Sequence, residues 1–131
     1  MGDYDQSQAL LKIAQQELSA LKLFKDLEIA ENIFGFHAQQ AVEKTLKAWL
    51  SFKGVEYPKV HDLSLLLKLL EEQGEKVEEF KELIFLNPFA VQFRYEAWED
   101  LKLSMTRERL IEKIENLQKK VKRLFSQERF I

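Results

Sequence analysis

The chain has no cysteine, which excludes disulfides and thiolate metal sites and makes a cytoplasmic setting the simplest expectation. Four glycines and two prolines are all that punctuate its 131 residues, too few for a loop-rich or many-turned β architecture. No apolar run approaches the ~18 residues of a membrane span, and the opening Met1-Gly2-Asp3-Tyr4-Asp5 is acidic rather than signal-like, so no membrane association is expected. Gly-rich phosphate loops, His-Glu-x-x-His and Gly-x-Ser-x-Gly are missing. With only His37 and His61 available, a histidine metal site is not expected, and nothing calls for a metal or another cofactor.

What is present is apolar side chain, 46% of residues, enough for one core and too short a chain for two. One domain over residues 1–131 is expected. The formal charge of -2 is unevenly spread. Residues 102–131 carry nine Lys/Arg against four Asp/Glu, which leaves the rest of the chain acidic. A basic last helix can favour RNA or nucleotide phosphates. Lys119, Lys120, Lys122 and Arg123 also sit where cations complement a helix C-terminus.

Strand-like alternation is nowhere sustained, and a period of 3.6 predicts helices throughout. The first runs over about 6–24, capped by Asp5 or Ser7, with Leu10, Leu11, Ala14, Leu18, Leu21 and Phe24 on one face. The second, about 28–53, has two apolar faces. Phe34, Ala38, Ala41, Thr45, Ala48 and Phe52 form one, and Val42, Leu46 and Trp49 the other; one side is expected to meet the bundle core, and the other is a candidate to meet another copy of the chain. Gly54 fits the position after its end. A third helix is predicted from His61-Asp62 to about Gln73, closed by Gly74. A fourth spans about 75–86 with Val77, Phe80, Leu83 and Ile84 inward, and breaks at Asn87-Pro88. The fifth opens near Ser104 or Thr106 and runs to about Phe125. The fold class is therefore all-α, an up-and-down bundle of four to five helices. Phe89, Phe93, Tyr95 and Trp98 fill the connection before the last helix and are expected to pack and hold Arg94 in place.

The chemistry-bearing stretch is Phe36 to Leu50 on the second helix. Gln40, Lys44 and Lys47 recur at i, i+4 and i+7, and Glu43 can pair with Lys47 at i+4. One reading is a solvated face with an ordinary surface ion pair. The other is a polar seam facing a groove, with the lysines on phosphate and Gln40 on a hydrogen-bonding partner.

Three pieces together resemble the HEPN family: Gln40-Ala41-Val42-Glu43-Lys44-Thr45-Leu46-Lys47-Ala48, His61-Asp62-Leu63 before a Leu-rich helix, and Arg94-Tyr95 before a long final helix. The likeness runs from about Leu10 to Leu124. It implies a helical bundle, usually a homodimer, often paired with a minimal nucleotidyltransferase encoded nearby. Many members are metal-independent ribonucleases that use an Arg and, four to six residues on, a His across the dimer cleft. Here Arg94 is followed by Glu99, Asp100 and Leu101 where that His would fall. Cleavage at a 2'-hydroxyl needs a group that exchanges protons near neutral pH, so a conventional HEPN ribonuclease is disfavoured and no catalytic residue is assigned. His61-Asp62 reads as a helix start and His37 as a packing residue. The expected site is Gln40, Lys44, Lys47, Arg94 and Tyr95, binding nucleotide or RNA in a toxin-antitoxin or defence pair. A ribonuclease toxin with a divergent site and a purely structural helical dimer are the alternatives.

Overall fold

The computed structural model describes residues 2–90 and 100–129. Among the described residues the elements run in the order α1 (Tyr4–Phe24), α2 (Glu31–Phe52), α3 (Leu63–Glu72), a 3-10 segment (Glu78–Ala90) and α4 (Arg107–Arg129). The all-α expectation holds, and the described residues contain no strand.

α1 is capped two to four residues earlier than expected. Asp3, not Asp5 or Ser7, accepts the Gln6 N–H through Oδ1 at 2.9 Å. Ser7 is instead buried, and its hydroxyl donates back to the Tyr4 carbonyl at 2.7 Å. The other caps follow the sequence: Asp62 Oδ1 accepts the Ser64 N–H at 3.0 Å, and Thr106 Oγ1 accepts that of Arg109 at 3.1 Å. Gly54 and Gly74 follow α2 and α3 with φ of 75° and 82°, a left-handed turn that L side chains resist.

α2 is the axis of the bundle and packs against all four other elements. This accounts for its two apolar faces. Val42, Leu46 and Trp49 on one face are at most 1% exposed within the single chain, and Phe34, Ala38, Ala41, Thr45 and Ala48 on the other are fully buried. Their burial comes from the chain itself, so the width of the stripe reports the centrality of α2 and does not by itself call for a subunit contact.

The fourth element departs most from expectation. It is a 3-10 segment rather than an α-helix, and it continues through Asn87-Pro88 to Ala90. Its buried residues Phe80, Leu83, Leu86 and Phe89 recur every third position, which is the period at which 3-10 side chains eclipse into one row. Asn87 leaves its own segment to serve α3: its Oδ1 accepts the Leu63 N–H at 2.9 Å, and its Nδ2 donates to Asp62 Oδ1 at 3.0 Å.

Arg107, unremarked in the sequence, ties the opening of α4 to the α1–α2 connection. Its guanidinium donates to the carbonyls of Phe24 and Leu27 at 3.1 and 3.0 Å and to that of Ile29, and it lies 4.7 Å from the centre of the Phe34 ring. Lower on the same helix, buried Gln118 donates to the Ala14 carbonyl at 2.9 Å. At the opposite end, Phe52 and Phe125 stack at 4.4 Å.

The closest approach in the core is at Gly35, where an added Cβ would fall 2.2 Å from Cδ1 of the buried Phe89 ring. Gly35→Val is expected to destabilise the protein by about 1–3 kcal/mol, because overpacking outweighs the small helix-propensity gain. Urea denaturation measures this, and Gly35→Val combined with Phe89→Leu should cost less than the sum of the single changes.

Candidate functional site

The polar seam of α2 is organised around Glu43, whose side chain has no exposed surface. A carboxylate out of water is costly unless its lone pairs are filled. Here both oxygens are served. Oε1 accepts from Gln39 Nε2 at 2.9 Å and lies 2.9 Å from His61 Nδ1. Oε2 accepts from Lys47 Nζ at 3.0 Å and is 3.6 Å from Lys44 Nζ. Gln39 and Lys47 stand one helical turn to either side of Glu43, so α2 itself brings them to the carboxylate.

The network continues outward. Gln39 also donates to the His61 carbonyl at 3.2 Å, and its own Oε1 accepts from Gln40 Nε2 at 2.7 Å. Its amide is thereby fixed in one orientation. The Lys47 ammonium lies 5.7 Å from the centre of the Tyr57 ring. Burial pushes the Glu43 carboxyl up, but the hydrogen bonds from Gln39, Lys47 and His61 and the Lys47 charge outweigh it and hold the group below its ordinary range. Tyr57 is pushed up, first by its own burial and then by the Glu43 charge, and keeps its phenolic proton at neutral pH.

An ionised carboxylate has no hydrogen to give, so the proton between Glu43 and His61 belongs to Nδ1. The imidazole thereby takes a fixed tautomer, with Nε2 as the nitrogen that carries the free lone pair when the ring is neutral. The His61 side chain is 63% exposed while its partner is wholly buried.

Of the residues expected to form the site, Gln40, Lys44 and Lys47 do come together on one edge of α2. Their roles differ. Lys47 is nearly buried and neutralises Glu43, and Gln40 is tied to Gln39, which leaves Lys44 as the more accessible cation. The pairing of Glu43 with Lys47 is as expected, but it is not an ordinary surface ion pair. Arg94 and Tyr95 lie outside the described residues. Sequence reasoning missed Gln39, Tyr57 and the part His61 plays; the spacing Gln39, Glu43, Lys47 on an otherwise apolar helix was the available signal.

A cleft of about 580 Å³ opens beside this edge, lined by Lys44, Lys47, Tyr57 and Lys59 together with Asp3 and Glu56. Its charge is mixed rather than strongly positive. A larger cleft of about 710 Å³ between α1 and α4 contains Lys12 and Lys122 with Gln8 and Gln15 and no carboxylate, but nothing there forms a titratable network. The first cleft is the better site on chemical grounds. No group of three or more His, Cys, Asp or Glu suited to a metal occurs among the described residues.

His37, read as a packing residue, sits between the rings of Phe24 and Phe36 and contacts Glu17 through Nδ1 at 2.8 Å. Asp62 caps α3 as expected for a helix start.

A family model for the HEPN domain matches residues 7–124, and the chain belongs to that family. Neither the curated proteins nor the solved structures give a match.

Two measurements test the network. Glu43→Ala leaves Lys47 nearly buried without its counter-charge and should cost about 3–5 kcal/mol, while the pair Glu43→Leu, Lys47→Met should restore most of it. The folded-state pKa of Glu43 is depressed, so its stabilisation is complete above the ordinary carboxylate value of 4.5 and is lost as pH falls below that value through the folded one. Denaturation midpoints recorded downward from pH 5 should therefore fall less steeply in the Leu/Met pair than in the parent.

Proposed function

We propose that this HEPN-family chain is the nucleotide- or RNA-binding partner subunit of a minimal nucleotidyltransferase, acting in a cytoplasmic toxin-antitoxin or defence pair as a homodimer. The observation that carries the binding part is the cleft beside α2, which Lys44, Lys59 and Tyr57 line together. Ammonium groups at a cleft mouth suit phosphate, and an aromatic ring suits a base. Lys47 contributes less directly, by cancelling the Glu43 charge that would otherwise repel an anion. Arg94 and Tyr95 belong to the same reading as phosphate- and base-contacting residues. No helix among the described residues is long and apolar enough to cross a membrane, in keeping with a partner that meets its ligand in solution.

The reading is tested by fluorescence anisotropy with a labelled single-stranded RNA and with labelled ATP. Lys44→Glu should weaken binding about ten-fold at ~50 mM salt and reduce the slope of log affinity against log salt by about 1. Lys122→Glu, in the other cleft, should have the smaller effect. A purely structural helical dimer predicts no change with either. Light scattering should return twice the chain mass of 15.5 kDa, and a particle of single-chain mass at micromolar concentration would remove the homodimer.

A further inference from the structure

Cations gather where α1 meets α4, and the fold does not use them. Lys12 on α1 and Lys122 and Arg123 on α4 are exposed, and none has an ion pair or hydrogen bond among the described residues. Several other surface cations are matched: Lys22 with Glu115 at 2.7 Å, Lys53 with Glu75 at 3.3 Å, and Lys81 with Glu71 and Glu78 at 3.0 Å. Lys120, on the same helix, is also committed, lying over the Trp49 and Phe80 rings and donating to the Lys76 carbonyl at 2.8 Å. The helix dipole does not account for Lys122 and Arg123, because α4 runs on to Arg129 and the benefit of a cation fades beyond the last turn.

We propose that the cleft between α1 and α4 docks an acidic segment of a partner polypeptide, with Lys12, Lys122 and Arg123 meeting its carboxylates. This surface shares no lining residue with the cleft beside α2, and the proposal is independent of the ligand read there.

The two helices run antiparallel along the cleft, as the contacts of Lys22 with Glu115, Ala14 with Gln118 and Tyr4 with Phe125 show. On α1, Gln8, Lys12 and Gln15 recur at i, i+4 and i+7 and line one edge for ~10 Å. Lys122 and Ser126 line the other edge, and past them the cleft continues into a hollow of about 390 Å³ beside Arg123. No carboxylate lines either part, so the counter-charge is left to solvent ions or a ligand. Because residues 1–101 are acidic overall, an acidic segment is repelled by that part of the chain and drawn to this face.

Two features favour a polypeptide over a nucleic acid. Phe125 is 3% exposed and stacks on Phe52 at 4.4 Å, and the Tyr4 ring packs against both at 6.3 and 6.4 Å. The rings at this cleft are therefore engaged with one another rather than presented to a base, and stacking is what gives single strands much of their affinity beyond charge. The neutral polar groups, the Gln8 and Gln15 amides and the Ser126 hydroxyl, each donate and accept. A peptide backbone offers N–H and C=O groups to match them, whereas a phosphodiester offers acceptors alone. Leu11 and Phe125 make the buried lining apolar, which suits a leucine among the acidic residues.

An extended peptide advances ~3.3 Å per residue, so a probe of about ten residues overspans the cleft. The probe is a fluorescein-labelled, amidated peptide of glutamate with interspersed leucine, and its counterpart has glutamine for every glutamate. Fluorescence anisotropy with the purified chain at ~50 mM salt should show the glutamate peptide binding at least about ten-fold more tightly than the glutamine peptide. Lys12→Glu and Lys122→Glu should each weaken the glutamate peptide about five- to ten-fold, and Lys122→Gln by less. Lys68→Glu, at an exposed position on α3 that lines neither cleft, changes the net charge as Lys122→Glu does and should stay within about two-fold of the parent. Circular dichroism confirms that the variants fold, and in the isotope-labelled chain the peptide should shift the backbone amide signals of Gln8, Gln15 and Ser126. No binding of the glutamate peptide up to millimolar concentration overturns the proposal. So does binding that the glutamine peptide equals, or that Lys68→Glu weakens as much as Lys122→Glu. Labelled single-stranded RNA supplies the remaining arm: if Lys122→Glu weakens RNA as much as it weakens the glutamate peptide, the cleft is a nucleic-acid surface and the docking proposal falls.

Discussion

One buried negative charge organises this molecule. Glu43 lies on the helix that every other element packs against, with none of its side chain in contact with solvent. An uncompensated carboxylate there would be worth several kcal/mol against folding. Compensation arrives from two directions. Gln39 and Lys47 come from α2 and are guaranteed by helical geometry; His61 comes from the far end of the α2–α3 connection and is available only when that connection has closed over α2. The local partners therefore make the charge tolerable, while the distant one makes it a constraint on the tertiary path. Asp62, next in sequence, then caps α3 and is held by Asn87 of the 3-10 segment. The buried charge is thus linked through two adjacent residues to the register of α3 and of the segment that follows.

The helical fold was legible because burial repeats along the chain at regular intervals. The apolar face of α1 is read correctly from Leu11, Ala14, Leu18 and Leu21, all of which are buried. Errors arose where the period was read too coarsely. Val77, Phe80 and Leu83 are three apart and fit an α-helix over one turn, but Leu86 and Phe89 continue the same interval across Pro88. An α-helical face would drift by about 60° at each three-residue step under ~100° per residue, whereas a three-residue turn keeps the row in line. Proline was taken as a break because it ends an α-helix; it is accommodated in this segment. The Asp3 cap was missed for a different reason: Asp3, Asp5 and Ser7 are all competent residue types, and what separates them is that Ser7 faces the core while the Asp3 N–H is anchored on the Ser51 carbonyl.

Legibility of the site was narrower. The interval that brings Gln40, Lys44 and Lys47 to one edge is visible in the sequence, and so is the possibility of a Glu43–Lys47 pair. Depth is not. Whether Glu43 lies at the surface or inside depends on how close α3 and the α2–α3 connection approach, which no local pattern encodes. His61 was assigned to a helix start because Asp62 accounts for that position well, and Asp62 does perform that role. The adjacent histidine inherited its neighbour's explanation. Two consecutive residues point to two different tasks, one to the helix it precedes and one back to the central helix eighteen positions earlier.

The consequence for chemistry follows from where the exposed half of that hydrogen bond ends. A buried ion pair alone is a structural device, and replacing it by apolar side chains is often neutral for stability. Lys47 and Gln39 would suffice for that purpose, since both lie on the same helix as the charge. A third partner that is largely in water adds little to the stability of the carboxylate, because water competes for it. What the carboxylate does for that partner is larger: it fixes the tautomer and the direction of an imidazole at the surface. The asymmetry runs from the interior outward. A charge that the core holds rigid thereby imposes its order on an imidazole that stands in the α2–α3 connection and that solvent reaches.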